Sequence, residues 1–208
     1  MKLLIGLTGL LLFAYLLLHL AGNMLVFAGQ DTFNAYSHTL ISNPLVMPIE
    51  IGLLAVFLLH VYKTIVMWRR NRAARPVGYE KQAWAGDKSR KSLSSTTMIW
   101  TGLVTLFFVA VHLKQFKFGA WYGIGDPPVR DLYRTEAEVF TSPLWVGVYV
   151  FCTILIGLHL RHGLSSAFQS LGVDHPVYTK RLVTLGTIFA VLVAAGFAII
   201  PIWVYVTR

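Results

Sequence analysis

The sequence predicts an all-α membrane protein with five transmembrane helices, four of them forming a bundle. Three observations carry this: five long apolar segments, too much apolar surface for a soluble core, and basic residues gathered between segments. Of 208 residues, 56% are hydrophobic and 13% charged. A soluble domain carries about 25% charged residues.

Crossing about 30 Å of hydrocarbon takes roughly 20 apolar residues, and the qualifying segments are 3–28, 45–68, 97–117, 143–170 and 182–206. Each is expected to be helical, because lipid offers no partner for free backbone groups. The first begins beside Lys2 like a signal peptide, but it is as long as a full span and has no small-x-small cleavage site, so it reads as mature structure. Pro44 and Pro48 mark the start of the second span, Ser142-Pro143 the start of the fourth, and His175-Pro176 the turn into the fifth. Pro201 is expected to bend or fray the fifth. Between the third and fourth, residues 118–142 mix aromatics with Arg130, Asp131, Arg134 and Glu138, which predicts a helix lying on the membrane surface. The whole chain, 1–208, reads as one domain without internal repeat or low-complexity stretch.

The net charge of +9 comes largely from Arg69, Arg70, Arg72, Arg75, Lys81, Lys88, Arg90 and Lys91, between the second and third spans. The first connection holds Asp31 and no lysine or arginine. By the positive-inside rule the basic connection is cytoplasmic, with Lys2 and Lys180-Arg181 on the same side. The N-terminus is then inside and the C-terminus outside. Charge placed this way is a topology signal and excludes a nucleic-acid partner.

Five of the seven histidines, His19, His60, His112, His159 and His162, fall within spans. One intramembrane histidine commonly serves as polar packing between helices. Their depths argue for more. At 1.5 Å per residue, His19 and His112 lie about 22–24 Å from the inner starts of their spans. His60 and His159, on spans running the other way, lie about 6–8 Å from the inner face. Four helices thus contribute one histidine each, in two pairs about 15 Å apart in depth. Two haems, each held by imidazoles from two helices, require this pattern. Cys152, the single cysteine, rules out disulfides within the chain, thiolate metal sites and thioether attachment of haem. Gly22, Gly157 and Gly163, close to the proposed ligands, offer room for a flat macrocycle. His162, one turn from His159, competes for the inner iron, or meets a propionate or a quinone oxygen. Lys63, Lys114 and Arg161 are propionate candidates, with snorkelling to the interface as the plain alternative. Asn23, four residues after His19, is either polar packing or faces the haem. His38 and His175 fall in loops and read as solvated.

Several stretches carry a family resemblance: Leu7-Thr8-Gly9-Leu10 with His19-Leu-Ala-Gly-Asn23, Phe33-Asn34-Ala35-Tyr36, Glu50-Ile-Gly with His60-Val-Tyr, and Asp131-Leu132-Tyr133. The most specific runs from His159-Leu-Arg-His162-Gly to Gly172. Through its first four spans the chain resembles the one-piece, di-haem cytochrome b anchors of bacterial succinate dehydrogenases and fumarate reductases. The resemblance implies that His19 and His112 hold a distal haem b. It implies that His60 and His159 hold a proximal one, His159 being preferred to His162 because it stands four residues before a glycine. It further implies a bacterial cytoplasmic membrane, a flavoprotein and an iron-sulfur subunit as partners, and a quinone, menaquinone by family habit, as electron acceptor. Some fumarate reductases of the family carry a proton-conducting glutamate two positions before the fourth ligand, where this chain has Gly157.

For the quinone, the inner end of the fourth span is the richer in donors, with Arg161, His162, Ser165, Ser166 and Gln169, and is the expected site. The alternative is an outer site served by Glu50, which otherwise reads as a solvated carboxylate at a helix start. The competing functions are the cytochrome b anchor of a formate dehydrogenase or hydrogenase, and a histidine-lined transporter. The second lacks the midplane carboxylates that transporters favour.

Overall fold

The computed structural model describes residues 1–74, 92–173 and 175–208. Arg75, Lys81, Lys88, Arg90 and Lys91 of the basic connection lie outside the described residues. Helix α1 (Lys2–Asn23) continues as a 3₁₀ turn, Met24–Ala28, to Gly29. Then come α2 (Gln30–Ser42), α3 (Val46–Ala73), the short α4 (Leu93–Thr96) and α5 (Met98–His112), which closes in a π turn over Leu113–Lys117. An antiparallel ribbon pairs β1 (Gly123–Ile124) with β2 (Val129–Arg130), and α6 (Leu132–Phe140), α7 (Pro143–Ser170) and α8 (Pro176–Thr207) complete the chain. Five of these helices, with their terminal turns, are long and apolar enough to cross a membrane, at the expected places.

The differences are local. Helix α3 runs on to Ala73 because its last turns are Trp68 to Arg72, where arginines reach an interface along their apolar stems; the Arg72 guanidinium sits 5.7 Å from the Trp68 ring centre. Helix α8 starts at Pro176, earlier than expected, because Nδ1 of His175 accepts the Val177 N–H at 3.3 Å and caps it. It does not fray at Pro201, which is fully buried, and continues to Thr207. Helix α2 and the ribbon were not expected from the sequence.

The spans pack as a ring. α1 lies between α3 and α7, α5 packs on α7 and more lightly on α3, and α8 covers α7 from outside. The diagonals of the ring are therefore α1 with α5 and α3 with α7. The glycines at the ligand candidates serve this packing. A Cβ on Gly157 would stand 2.8 Å from the Ala194 Cβ of α8, and one on Gly22 would stand 2.6 Å from the Tyr36 hydroxyl of α2. At Gly163 only the tip of Met98 comes within 4 Å, 3.9 Å from where a Cβ would stand. Small residues let helix backbones approach where lipid supplies no hydrophobic drive.

One end of the ring is capped. Helices α2 and α6 close over Val26, Phe33, Ala137, Phe140, Tyr149, Ile200 and Val204. They are joined by buried polar groups: Asn34 Nδ2 donates to Asp131 Oδ1 at 2.7 Å, Gln30 Nε2 to Asp131 Oδ2 at 2.8 Å, and the Tyr133 N–H to Asn34 Oδ1 at 3.0 Å. Asp131 also caps α6 by accepting from the Arg134 N–H. The Arg130 guanidinium donates to the carbonyls of Phe116, Lys117 and Ala120, which the end of the third span leaves without helical partners. The opposite end carries Arg69, Arg70 and Arg72 and is the basic end.

Candidate functional site

Four half-buried histidines stand one on each helix of the ring: His19 on α1, His60 on α3, His112 on α5 and His159 on α7. His19 and His112 belong to one diagonal. Their ring centres are 5.8 Å apart, beneath the cap. Aromatic rings hem both: Tyr15 stacks on His19 at 5.5 Å and Phe197 lies at 5.6 Å, while Phe116 is 5.1 Å and Phe108 5.9 Å from His112. The Tyr149 hydroxyl donates to Gln115 Oε1 at 2.7 Å and lies 3.5 Å from His112 Nδ1. Asn23 Nδ2 donates to the His19 carbonyl at 2.7 Å and also lies 3.4 Å from His19 Nδ1.

His60 and His159 belong to the other diagonal, nearer the basic end, and are held alike. The Thr8 hydroxyl of α1 lies 3.0 Å from His60 Nδ1, and the Thr101 hydroxyl of α5 lies 3.1 Å from His159 Nδ1. The next residue in each case is a glycine against the ring edge. A Cβ on Gly9 would stand 3.3 Å from His60 Cε1, and one on Gly102 would stand 3.4 Å from His159 Cε1. Thr8 stands eleven residues before His19, and Thr101 eleven before His112. The two histidine pairs are therefore about 16 Å apart along the bundle at 1.5 Å per residue.

Against the expectation of no internal repeat, Thr-Gly-Leu followed eleven residues after its threonine by histidine occurs twice, at Thr8 and at Thr101. Sequence reasoning passed over these threonines because threonine is unremarkable in a helix; the repeated spacing was the available signal.

The remaining candidates are more dispersed. Ser165 is buried, but its hydroxyl donates back to the His162 carbonyl at 3.1 Å. Arg161 reaches the buried Ser94 hydroxyl at 3.5 Å. His162 and Ser166 are half-buried on the same face region, and Gln169 is exposed. Lys63 lies 5.4 Å from the Tyr62 ring centre, and Lys114 is exposed in the π turn. Glu50 pairs with Lys117 at the capped end through both carboxylate oxygens, at 2.5 and 2.7 Å. His38 is exposed, on α2 rather than in a loop. Glu136 of α6, absent from the expected set, is buried at 4% exposure, and burial pushes its carboxyl up to about 8.

Over 176 residues the chain is 23% identical to the succinate dehydrogenase cytochrome b558 subunit of Bacillus subtilis (strain 168), a match that covers 84% of this chain and 80% of the relative. The chain is similar to a succinate dehydrogenase cytochrome b subunit. This likeness extends over most of both chains rather than over one apolar span. No protein-family profile matches the chain, and no solved structure matches it.

Proposed function

We propose that the chain is the membrane anchor of a bacterial succinate:quinone oxidoreductase and holds two b-type haems between its diagonal helices. The observation that carries this is the His19–His112 pair, from opposed helices, with ring centres 5.8 Å apart. With metal–nitrogen bonds of about 2 Å, two imidazoles on opposite sides of one iron have centres roughly 6 Å apart. The spacing fits, and the donors are imidazole nitrogens, the usual axial ligands of electron-transfer haems. The likeness to a succinate dehydrogenase cytochrome b subunit supplies the complex.

In this reading His19 and His112 hold one haem and His60 and His159 the other. Bound haem supplies one-electron carriage at two levels. The protein holds the ligands in place and excludes water from the capped end with its aromatic cluster. The propionates would be met by Lys63, Lys114, Arg161 or His162. The basic end faces the cytoplasm and docks the iron-sulfur subunit, itself joined to the flavoprotein, so the C-terminus is outside. The quinone, menaquinone in this reading, is reduced at the basic end near Arg161, His162, Ser165 and Ser166. Glu50 belongs to the alternative site at the capped end.

A reduced-minus-oxidised spectrum of the purified chain is expected to show b-type bands, and a pyridine haemochrome assay two haems per chain. One haem, or none, overturns the reading.

A further inference from the structure

The histidines nearer the basic end are oriented by groups outside the ligand set. The Thr8 hydroxyl has one proton and donates it to its own helix, to the Leu4 carbonyl at 2.6 Å, with Ile5 O at 3.2 Å. The Thr101 hydroxyl likewise donates to the Thr97 carbonyl at 3.1 Å, with Met98 O at 3.2 Å. With the hydroxyl protons given to the helix carbonyls, both oxygens accept from the imidazole nitrogens beside them. In that arrangement Nδ1 of His60 and of His159 carries the ring proton, and Nε2 is left with the lone pair in both. Threonine makes this bond durable, because each hydroxyl is buried, Thr8 at 5% and Thr101 at 3% exposure, and water does not compete. The glycine after each threonine lets the ring lie close enough to make it.

The other pair is held differently and more loosely. At His19 Nδ1 the neighbour is the Asn23 amide nitrogen, a donor, at 3.4 Å, and at His112 Nδ1 it is the Tyr149 hydroxyl at the long distance of 3.5 Å. The two pairs therefore differ in what surrounds the nitrogen away from the metal.

We propose that Thr8 and Thr101 are positioning residues for one haem only: each accepts the Nδ1–H of a histidine on the neighbouring helix, fixing its tautomer and ring angle and leaving Nε2 for the iron. This rests on the di-haem reading. A hydrogen bond accepted from Nδ1–H makes Nε2 a stronger base, and a stronger base favours oxidised iron. Removing the hydroxyls raises the midpoint potential of that haem and turns its imidazole planes, while the other haem is unaffected.

The test uses membranes containing the whole complex, with electron paramagnetic resonance of the two low-spin haems and a redox titration. His60→Ala identifies the relevant signal as the one it abolishes. Thr8→Val with Thr101→Val, matched in shape, should move that signal alone and lower the oxidised-to-reduced ratio of that haem about tenfold at fixed poise. Thr8→Ser with Thr101→Ser, which keep the hydroxyls, should restore both. Loss of that haem in the valine protein but not in the serine protein supports the same role. Two haems with unmoved signal and potential in the valine protein overturn the proposal and leave the di-haem reading standing, as does an equal defect in the serine protein. Absence of haem in the unaltered complex overturns the di-haem reading itself.

Discussion

Asn34 of α2 and Asp131 at the start of α6 join the two connections of the capped end through a 2.7 Å hydrogen bond, with both side chains 5% exposed. Asn34 also accepts the Tyr133 N–H, so it satisfies a helix-end donor and a buried carboxylate together. Asn34→Leu strands both, and an unpaired buried polar group costs about 1–3 kcal/mol. The expected outcome is a lower thermal midpoint in detergent than Gln30→Leu produces, since Gln30 contributes one bond to the same carboxylate. Equal midpoints would show that the latch does not hold the cap.

The Glu136 carboxyl is raised to about 8 by burial alone. The folded protein keeps this proton while the unfolded chain, with the ordinary value of 4.5, releases it. Stability is therefore greatest below about pH 4.5 as far as this group is concerned, falls as pH rises towards 8, and changes no further beyond. The total is on the order of a few kcal/mol. Unfolding midpoints measured from pH 5 to pH 9 should fall, and Glu136→Gln should flatten that part of the slope. A slope unchanged by the substitution would show that the carboxyl is ionised in the fold.

His159, and not His162, is expected to hold iron. The Thr101 hydroxyl stands at His159 Nδ1, whereas among the described residues no side chain bonds the His162 ring. His159→Ala should lose one low-spin haem and His162→Ala should keep both, read by electron paramagnetic resonance. The opposite result reassigns the ligand.

Glu50 and Lys117 are both nearly half exposed, and exposed ion pairs contribute about 0–1 kcal/mol. Glu50→Gln should leave stability and quinone reduction close to unchanged. Arg161→Gln or Ser165→Ala should lower quinone reduction about tenfold or more while succinate oxidation by a soluble dye continues and both haems stay. Full activity in those variants with loss in Glu50→Gln places the quinone at the capped end.

Much of this protein can be read directly from its sequence. The five spans follow from apolar runs long enough for the bilayer, since lipid forces such runs to be helical. The depths of His19, His60, His112 and His159 follow from the constant rise of a helix and the alternating direction of successive spans. Helix α2 was hidden because its apolar residues, such as Phe33, are few and its stability comes from contacts with α6. Gly22 and Gly157 lay close in sequence to ligand candidates, yet tertiary packing turned them towards Tyr36 and Ala194. Which helices are diagonal was likewise a tertiary decision, because the order of spans along the chain does not set their order around a ring. The same holds for Thr8 with His60, 52 residues apart, and Thr101 with His159, 58 residues apart. A helix sequence records the level of each side chain, but its angle towards a neighbour depends on how the two helices are rotated against each other, and that is settled only when they pack.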